Sequence, residues 1–389
     1  MVAIMVFTKP IEALAFEDVQ RLMDNKITES HILDYKIGPI DDESFIKHVS
    51  SFANTNGGYL IYGVEETGSG GYPKSIPGLP SSAVNKERLE QLVLSNIYPR
   101  IFIKLREIDH SDAGKTILVI QIPDSYLKPH MNLRSEKFYK RYNFEAKPMT
   151  ETEVSDAYKT RFETSEQADD YVRDLVRTKF GVVTEDTPVV GQILVVPSVV
   201  KRKIVDTSRP ESLAWINSST INLAPSTGTY VPGLCRPSSR GVVCQDRSLP
   251  LLEIHRNGAL EYRDDFATPL RDGKAGKINI FHDPIFCVKL LRTLQFAALL
   301  YSKYNYFGDV RVVAAIGPAS HLYLKVGWNN NNCGLERILV EREYPMAALE
   351  TRFSQVAAGI MDEIYNYFGV WRCPYFDDQG NYDMKKLRI

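Results

Sequence analysis

Cysteine is scarce in this chain, and an excess of one charge is missing. The five cysteines, at positions 235, 244, 287, 333 and 373, are too few to staple 389 residues, and none forms a C-x-x-C pair. A disulfide scaffold is excluded, and free thiols in a reducing compartment are expected. The 47 Lys+Arg nearly balance the 48 Asp+Glu, leaving a formal charge of −1. That excludes a bulk polycation of the histone kind, so any nucleic-acid surface has to be a local patch. Long apolar runs are also missing, and stretches such as Phe296–Tyr301 fall far short of the ~20 residues of a spanning helix. The opening run Met1–Phe7 has no basic segment before it and stops at Thr8-Lys9-Pro10, which is too short for a signal peptide. A soluble, cytoplasmic protein with no membrane partner is expected. There is no G-x-x-x-x-G-K-[ST], so no nucleotide cofactor is expected.

What is present is ordinary globular material, 44% hydrophobic and 24% charged. The length suits two domains. In the first, the apolar spacing predicts helices over Pro10–Asp24, Asp41–Phe52 and Asn85–Ser95. Strands are predicted at His31–Lys36, Tyr59–Val64, Ile101–Glu107, Thr116–Ile122 and Phe138–Arg141, with a loop over Thr67–Pro80. Glu151–Lys179 reads as a connecting helix, with a boundary near Gly181–Pro188. Beyond it, strands are predicted at Gly191–Pro197, Leu251–His255 and Val310–Ile316, and helices at Phe286–Tyr304 and Ala347–Phe368. Asn257-Gly258 reads as a hairpin turn, and Cys373–Ile389 as a loose tail. The expected organisation is an α+β domain over 1–150, a connecting helix and linker over 151–188, a second α+β domain over 189–370 and a tail over 371–389.

Three constellations can carry chemistry. Glu29 and Asp34 are paired carboxylates at the start of a strand, and Glu65 or Glu66, leaving the strand Tyr59–Val64, can add a third oxygen ligand for a divalent metal. Solvated acids at element ends are the plainer reading of that spacing. The second, Phe52-Ala-Asn-Thr-Asn-Gly-Gly-Tyr-Leu-Ile-Tyr-Gly-Val-Glu-Glu, runs helix, turn, strand. A phosphate cradle needs the turn to open a helix, so this is a structural turn and not a P-loop. The third is Lys128–Lys147, where six basic side chains face two acidic ones and Phe138, Tyr139, Tyr142 and Phe144 interleave with them. Bases and aromatics together hold phosphates and stack on nucleobases. On a strand, Phe138, Lys140 and Tyr142 share one face, and Tyr139 and Arg141 the other. Lesser features are Cys235, Cys244 and His255, which lack zinc spacing and read as structural; Phe281-His282-Asp283, read as a local cap; and the polar loop Trp328–Cys333.

Taken together, the first domain resembles the Schlafen-type AlbA-like family. The resemblance rests on Glu29-Ser-His-Ile-Leu-Asp34-Tyr-Lys36, on the Phe52–Glu66 stretch just quoted, and on Ile120-Gln-Ile-Pro-Asp-Ser followed by Phe138-Tyr-Lys-Arg141, in that order over about residues 20–155. It implies a nucleic-acid-binding α+β domain, with DNA or RNA as partner. It also implies, as in the nuclease-active members, a metal-dependent endoribonuclease centre with Mg²⁺ or Mn²⁺ held by Glu29, Asp34 and Glu65 or Glu66. Here the second acid is Asp and the third Glu, each one methylene different in reach from the family's usual choice. The family's zinc-binding Cys/His set and its helicase motifs are not recognisable. Lys137, Lys140 and Arg141, with Lys36 beside the acids, are the expected phosphate contacts. Because the chain has one lobe where Schlafen cores resemble two, a homodimer is expected to rebuild a two-lobed groove. The expected role is a regulator or defence factor, with a protein-interaction scaffold as the other class.

Overall fold

The computed structural model describes residues 6–68, 71–125, 127–179, 188–201, 203–207, 209–222, 234–245, 250–272, 276–304, 306, 308–326, 329–383 and 386. Met1–Met5, most of the expected boundary at Gly181–Pro188, and Trp328 lie outside them. The chain divides into two compact units, Met1–Glu163 with Asn305–Gly308, and Thr164–Tyr304 with Asp309–Ile389. Both mix helices and sheets, so the α+β class holds.

The first unit opens with α1 (Phe16–Asp24), preceded by a single 3-10 turn at Ile11–Ala13. The single helix expected over Pro10–Asp24 is interrupted because Leu14 and Ala15 are extended. Next come β1 (Leu33–Lys36), α2 (Asp42–Ala53), β2 (Gly58–Tyr62), β3 (Glu65–Glu66), β4 (Pro73–Ser75), β5 (Leu79–Pro80) and α3 (Lys86–Asn96). The unit continues with β6 (Ile97–Tyr98), β7 (Lys104–Asp109), β8 (Lys115–Ile122), β9 (Met131–Asn132), β10 (Lys137–Tyr142) and β11 (Glu145–Pro148). Finally α4 (Glu151–Lys179) runs on into the second unit.

β1 and β2 are parallel, which requires a crossover between them, and α2 supplies it. Their sheet runs β1-β2-β8-β5, with β7 also on β8. It is apolar on both faces. Leu60, Tyr62, Leu118 and Ile120 pack with Phe45, Val49 and Phe52 of α2, whereas Leu33, Tyr35, Tyr59, Ile61 and Val119 pack with Val19 and Leu22 of α1. Alternation along β1 therefore turns Asp34 and Lys36 toward the α2 side. A second sheet, β11-β10-β9-β6, lies against α2.

In the second unit, β12 (Val190–Pro197) is followed by α5 (Pro210–Asn222), β13 (Cys235–Pro237), β14 (Gly241–Cys244), β15 (Leu251–His255) and β16 (Leu260–Asp265). Then come β17 (Ala267–Asp272), β18 (Gly276–Phe281), α6 (Asp283–Lys303), β19 (Asp309–Gly317), β20 (Leu322–Val326), β21 (Asn329–Asn332), β22 (Ile338–Pro345), α7 (Met346–Thr351) and α8 (Phe353–Asn366). Seven strands form a sheet in the order β13-β14-β15-β16-β12-β19-β22, with every neighbouring pair antiparallel. β17-β18-β20-β21 form another sheet. The Asn257-Gly258 turn joins β15 to β16 as expected, with Gly258 at φ +88°. Among the described helices, α6 is long and apolar enough to cross a membrane by length and composition, but 67% of that stretch is buried, which is the pattern of a core helix.

Two expectations for this unit need correction. The helix expected over Ala347–Phe368 breaks at Arg352, whose φ of −139° leaves helical geometry, giving α7 and α8. The tail is tied down as far as Tyr382: Ser354 Oγ donates to Gly380 O at 2.7 Å, and the Tyr382 amide donates to Ser354 Oγ at 3.0 Å.

The expectation of five free thiols is also overturned. β13 and β14 pair with Cys235 directly opposite Cys244, and the two are joined as a disulfide. The bond depends on strand register, which nine residues of spacing do not reveal. Cys287, Cys333 and Cys373 are free and buried. A thiol titration of the denatured, unreduced chain is expected to find three thiols, and five after reduction. Five before reduction would contradict the cross-strand bond.

Candidate functional site

β1 delivers Asp34 and Lys36 to the α2 face, and Glu29 reaches them from the preceding turn. Glu29 Oε1 accepts the Tyr35 amide at 2.8 Å, which holds the loop against the strand. Asp34 is 1% exposed. Its Oδ2 accepts from Arg141 Nη1 at 2.8 Å and lies 3.2 Å from His48 Nδ1 of α2, while the Lys36 ammonium bonds its Oδ1. The Lys36 Nζ is also 3.6 Å from Glu29 Oε1.

Arg141 is as buried as its partner, with side-chain exposures of 0% and 1% for the pair. Its Nη2 donates to Ser30 O and Phe144 O at 3.2 Å each, and its guanidinium lies 4.2 Å from the Phe52 ring centroid. The expectation of a phosphate contact at Arg141 is therefore corrected. Tyr139 and Arg141 occupy the inward face of β10, and the inward base is spent on Asp34.

The Asn-Thr-Asn-Gly-Gly turn places this base. Asn54 Nδ2 donates to His130 O at 2.8 Å and to Tyr139 O at 2.9 Å, and its Oδ1 accepts the His130 amide at 2.6 Å. Thr55 Oγ1 accepts the Arg141 amide at 2.9 Å. The glycines permit the close backbone approach behind the turn. A Cβ at Gly57 would meet Asp124 N at 2.4 Å, and one at Gly58 would meet Ile32 O at 2.4 Å. Sequence reasoning took this stretch for a plain turn. It is the clamp that docks β9 and β10 against α2, and the side-chain amide inside a Gly-rich turn was the available signal.

The remaining expected site residues are dispersed. Glu65 turns to Ser75 Oγ at 2.7 Å and Lys74 Nζ at 3.2 Å. Glu66 is half-buried and contributes to the field at Lys36. Among the described residues, Glu29, Asp34 and Glu66 do not converge as three ligands. One oxygen of Asp34 is taken by the Lys36 ammonium, which also stands beside Glu29, and the other by Arg141. As arranged, these residues do not fit a divalent ion. Lys140 pairs with Glu153 at 3.3 Å, whereas Lys137 is exposed with no ion pair among the described residues.

Residues 29–150 match the family model described as Schlafen, AlbA_2. No curated protein matches the chain. Among solved structures, the N-terminal domain of a RecG-related protein from Nitrosomonas europaea is 22% identical over 34% of this chain and 90% of its own, with a TM-score of 0.24. The DIP2311 protein from Corynebacterium diphtheriae is 12% identical over 76% of this chain and 55% of its own, also with a TM-score of 0.24. Superpositions that loose carry no functional argument.

Within the matched residues the two acids are electrostatically unlike. Burial pushes the Glu29 carboxyl up to about 8, and its hydrogen bond and repulsion with Asp34 add to this against the opposing Tyr35 amide and Lys36. Burial pushes Asp34 up as well, but His48, Lys36 and Arg141 together outweigh it and hold its carboxyl well below the ordinary range. The dyad is thus one carboxylate and one carboxylic acid at neutral pH, the split expected of close carboxyl pairs. Asp34 stabilises the fold above the ordinary Asp range, and that contribution is lost on strong acidification. Glu29 acts in the opposite sense. Its unfolded form ionises near 4.5 and its folded form near 8, so its contribution declines as pH rises through that window. The variant Glu29→Gln, which cannot ionise, is expected to match the natural chain in urea unfolding at about pH 5 and to exceed it at about pH 8. Each pH unit across the window is worth up to about 1.4 kcal/mol. Parallel stability curves would refute the protonated Glu29.

Proposed function

We propose that the AlbA_2 domain binds nucleic acid and serves a regulator or defence factor, with its acidic dyad as framework and the exposed side chains at the two ends of β10 as contact surface. The observation that carries this is the family match over residues 29–150. The surface chemistry supports it. Lys137 is exposed at the start of β10, and Tyr98, Tyr142 and Phe144 are 65%, 41% and 61% exposed nearby on β6, on β10 and in the turn after β10. Bases and aromatic faces of this kind track a phosphate backbone and stack on unpaired bases. Lys140 can join once it leaves Glu153. Lys36 is three-quarters buried against the two carboxyl groups and is not a primary contact.

A metal-dependent endoribonuclease would need Mg²⁺ or Mn²⁺ in place of Lys36, so binding without cleavage is the better-supported reading. The test is binding of labelled tRNA, single-stranded RNA and duplex DNA across a salt series, with and without Mn²⁺. Lys137→Ala with Lys140→Ala is expected to weaken binding to all sequences alike and to flatten the salt slope by ~0.7–0.9 per lost contact. An unchanged slope would remove β10 from the interface. Mn²⁺-dependent cleavage lost in Glu29→Gln would make the protein an endoribonuclease instead. No binding even at low salt would leave an interaction scaffold.

A further inference from the structure

The β15–β16 hairpin of the second unit carries a cluster that the AlbA_2 domain does not explain. Its register sets Glu253 directly opposite Glu261. Residues two apart on a strand share a face, so His255 projects on the same side. Glu261 lies opposite Leu194 of β12, and that face of the sheet, with Val196, Val313 and Ala315, packs under Val172, Leu175 and Val176 of α4. Two carboxylates opposed across neighbouring strands repel each other. Here one of them, Glu261, is fully buried. Arg263 Nε stands 3.0 Å from Glu261 Oε1 and balances one of the two charges.

Arg240 adds to the favourable field at Glu253, and the free atoms point to a further cation. Glu261 Oε1 accepts from Gln192 Nε2 at 2.7 Å, Glu253 Oε1 accepts from Ser238 Oγ at 3.3 Å, and His255 Nδ1 is bonded to the Tyr171 hydroxyl on α4. Each residue therefore has its outer atom held and its inner atom turned to a common point. His255 Nε2 and Glu261 Oε2 are buried with no hydrogen-bond partner, on residues 3% and 0% exposed. The Nε2 lies 3.7 Å from Glu253 Oε2 and 3.8 Å from Glu261 Oε2. Those separations are too long for hydrogen bonds. Among the described residues this is the one group of three such side chains whose ligand atoms fall within 4.8 Å of one another.

We propose that Glu253, His255 and Glu261 bind one Zn²⁺ ion, with a water as fourth ligand. Bonds of ~2.0–2.1 Å in tetrahedral array put ligand atoms about 3.3–3.4 Å apart, a few tenths of an ångström inside the 3.7 and 3.8 Å separations from His255 Nε2. Octahedral Mg²⁺ at ~2.0–2.1 Å would need neighbouring ligands at about 2.9 Å. An imidazole with two carboxylates suits zinc, and the Tyr171, Gln192 and Ser238 contacts are the outer partners that orient such ligands. The Cys235–Cys244 pair, whose spacing with His255 reads poorly as a zinc site, is excluded as a ligand source because its sulfurs are bonded to each other.

The test uses the purified full chain, stripped with chelator and refilled with Zn²⁺, or with Co²⁺ as a spectroscopic probe. One zinc per chain is expected to survive gel filtration, the Co²⁺ form is expected to show tetrahedral absorption, and Tm is expected to rise on zinc addition. Glu253→Gln, nearly isosteric and partly exposed, is expected to fold and to weaken zinc binding by ten-fold or more, at least the ~10–100-fold loss seen when an outer partner is removed. The proposal is overturned if the natural chain takes up no stoichiometric zinc, if zinc uptake and the Tm rise are unchanged in Glu253→Gln, or if Mg²⁺ binds as tightly as Zn²⁺.

Discussion

The first unit is organised around one buried ion pair, Arg141 with Asp34. Taking both charges out of water is expensive, and the arrangement offsets that cost by occupying nearly every polar atom. Asp34 also faces Lys36 and His48, and the Arg141 guanidinium reaches two backbone carbonyls and the Phe52 ring. Because Asp34 is on β1 and Arg141 on β10, the pair ties the first sheet to the second sheet through α2. The Asn54 and Thr55 contacts fix the same joint from the other side. Residues that resemble a metal-binding acidic centre in the sequence are thus engaged with the protein's own cations.

Much of this framework was legible in the sequence, because period-two and period-3.6 patterns report directly on which faces are buried. β2, β8, β10, α2 and α3 stand within a residue or two of their expected bounds. The alternation along β10 also separated Tyr139 and Arg141 from Phe138, Lys140 and Tyr142. Which of the two faces turns inward was not legible. A basic strand with aromatics on both sides suits either choice, and the decision is made by Asp34, more than a hundred residues away in the chain. The pairing of Glu29 with Asp34 is legible in their spacing, but the Lys36 ammonium beside them reads as a phosphate contact because a sequence does not show where a flexible side chain finds its charge.

The second unit shows the same limit more sharply. The disulfide and the Glu253–His255–Glu261 cluster are both products of strand register. Composition and motif spacing carry no record of register between β13 and β14. For the β15–β16 hairpin, the Asn257-Gly258 turn was a partial signal: a two-residue turn there would set Glu253 opposite Tyr262, and the one extra loop residue in the structure sets it opposite Glu261 instead, a one-residue shift that decides which side chains share a face. Elements such as α5, β17 and β20–β22 lack a strong period and are not legible in the sequence.

The most direct measurement of the central interaction is a double-mutant cycle in urea unfolding, with Asp34→Asn, Arg141→Met and the pair. Each single substitution strands a buried charge and is expected to cost about 3–5 kcal/mol. The double variant is expected to cost far less than their sum, because removing both partners leaves no charge unpaired. Costs that simply add would mean that the two side chains are not coupled, and would contradict an account in which Arg141 closes on Asp34 rather than facing a phosphate.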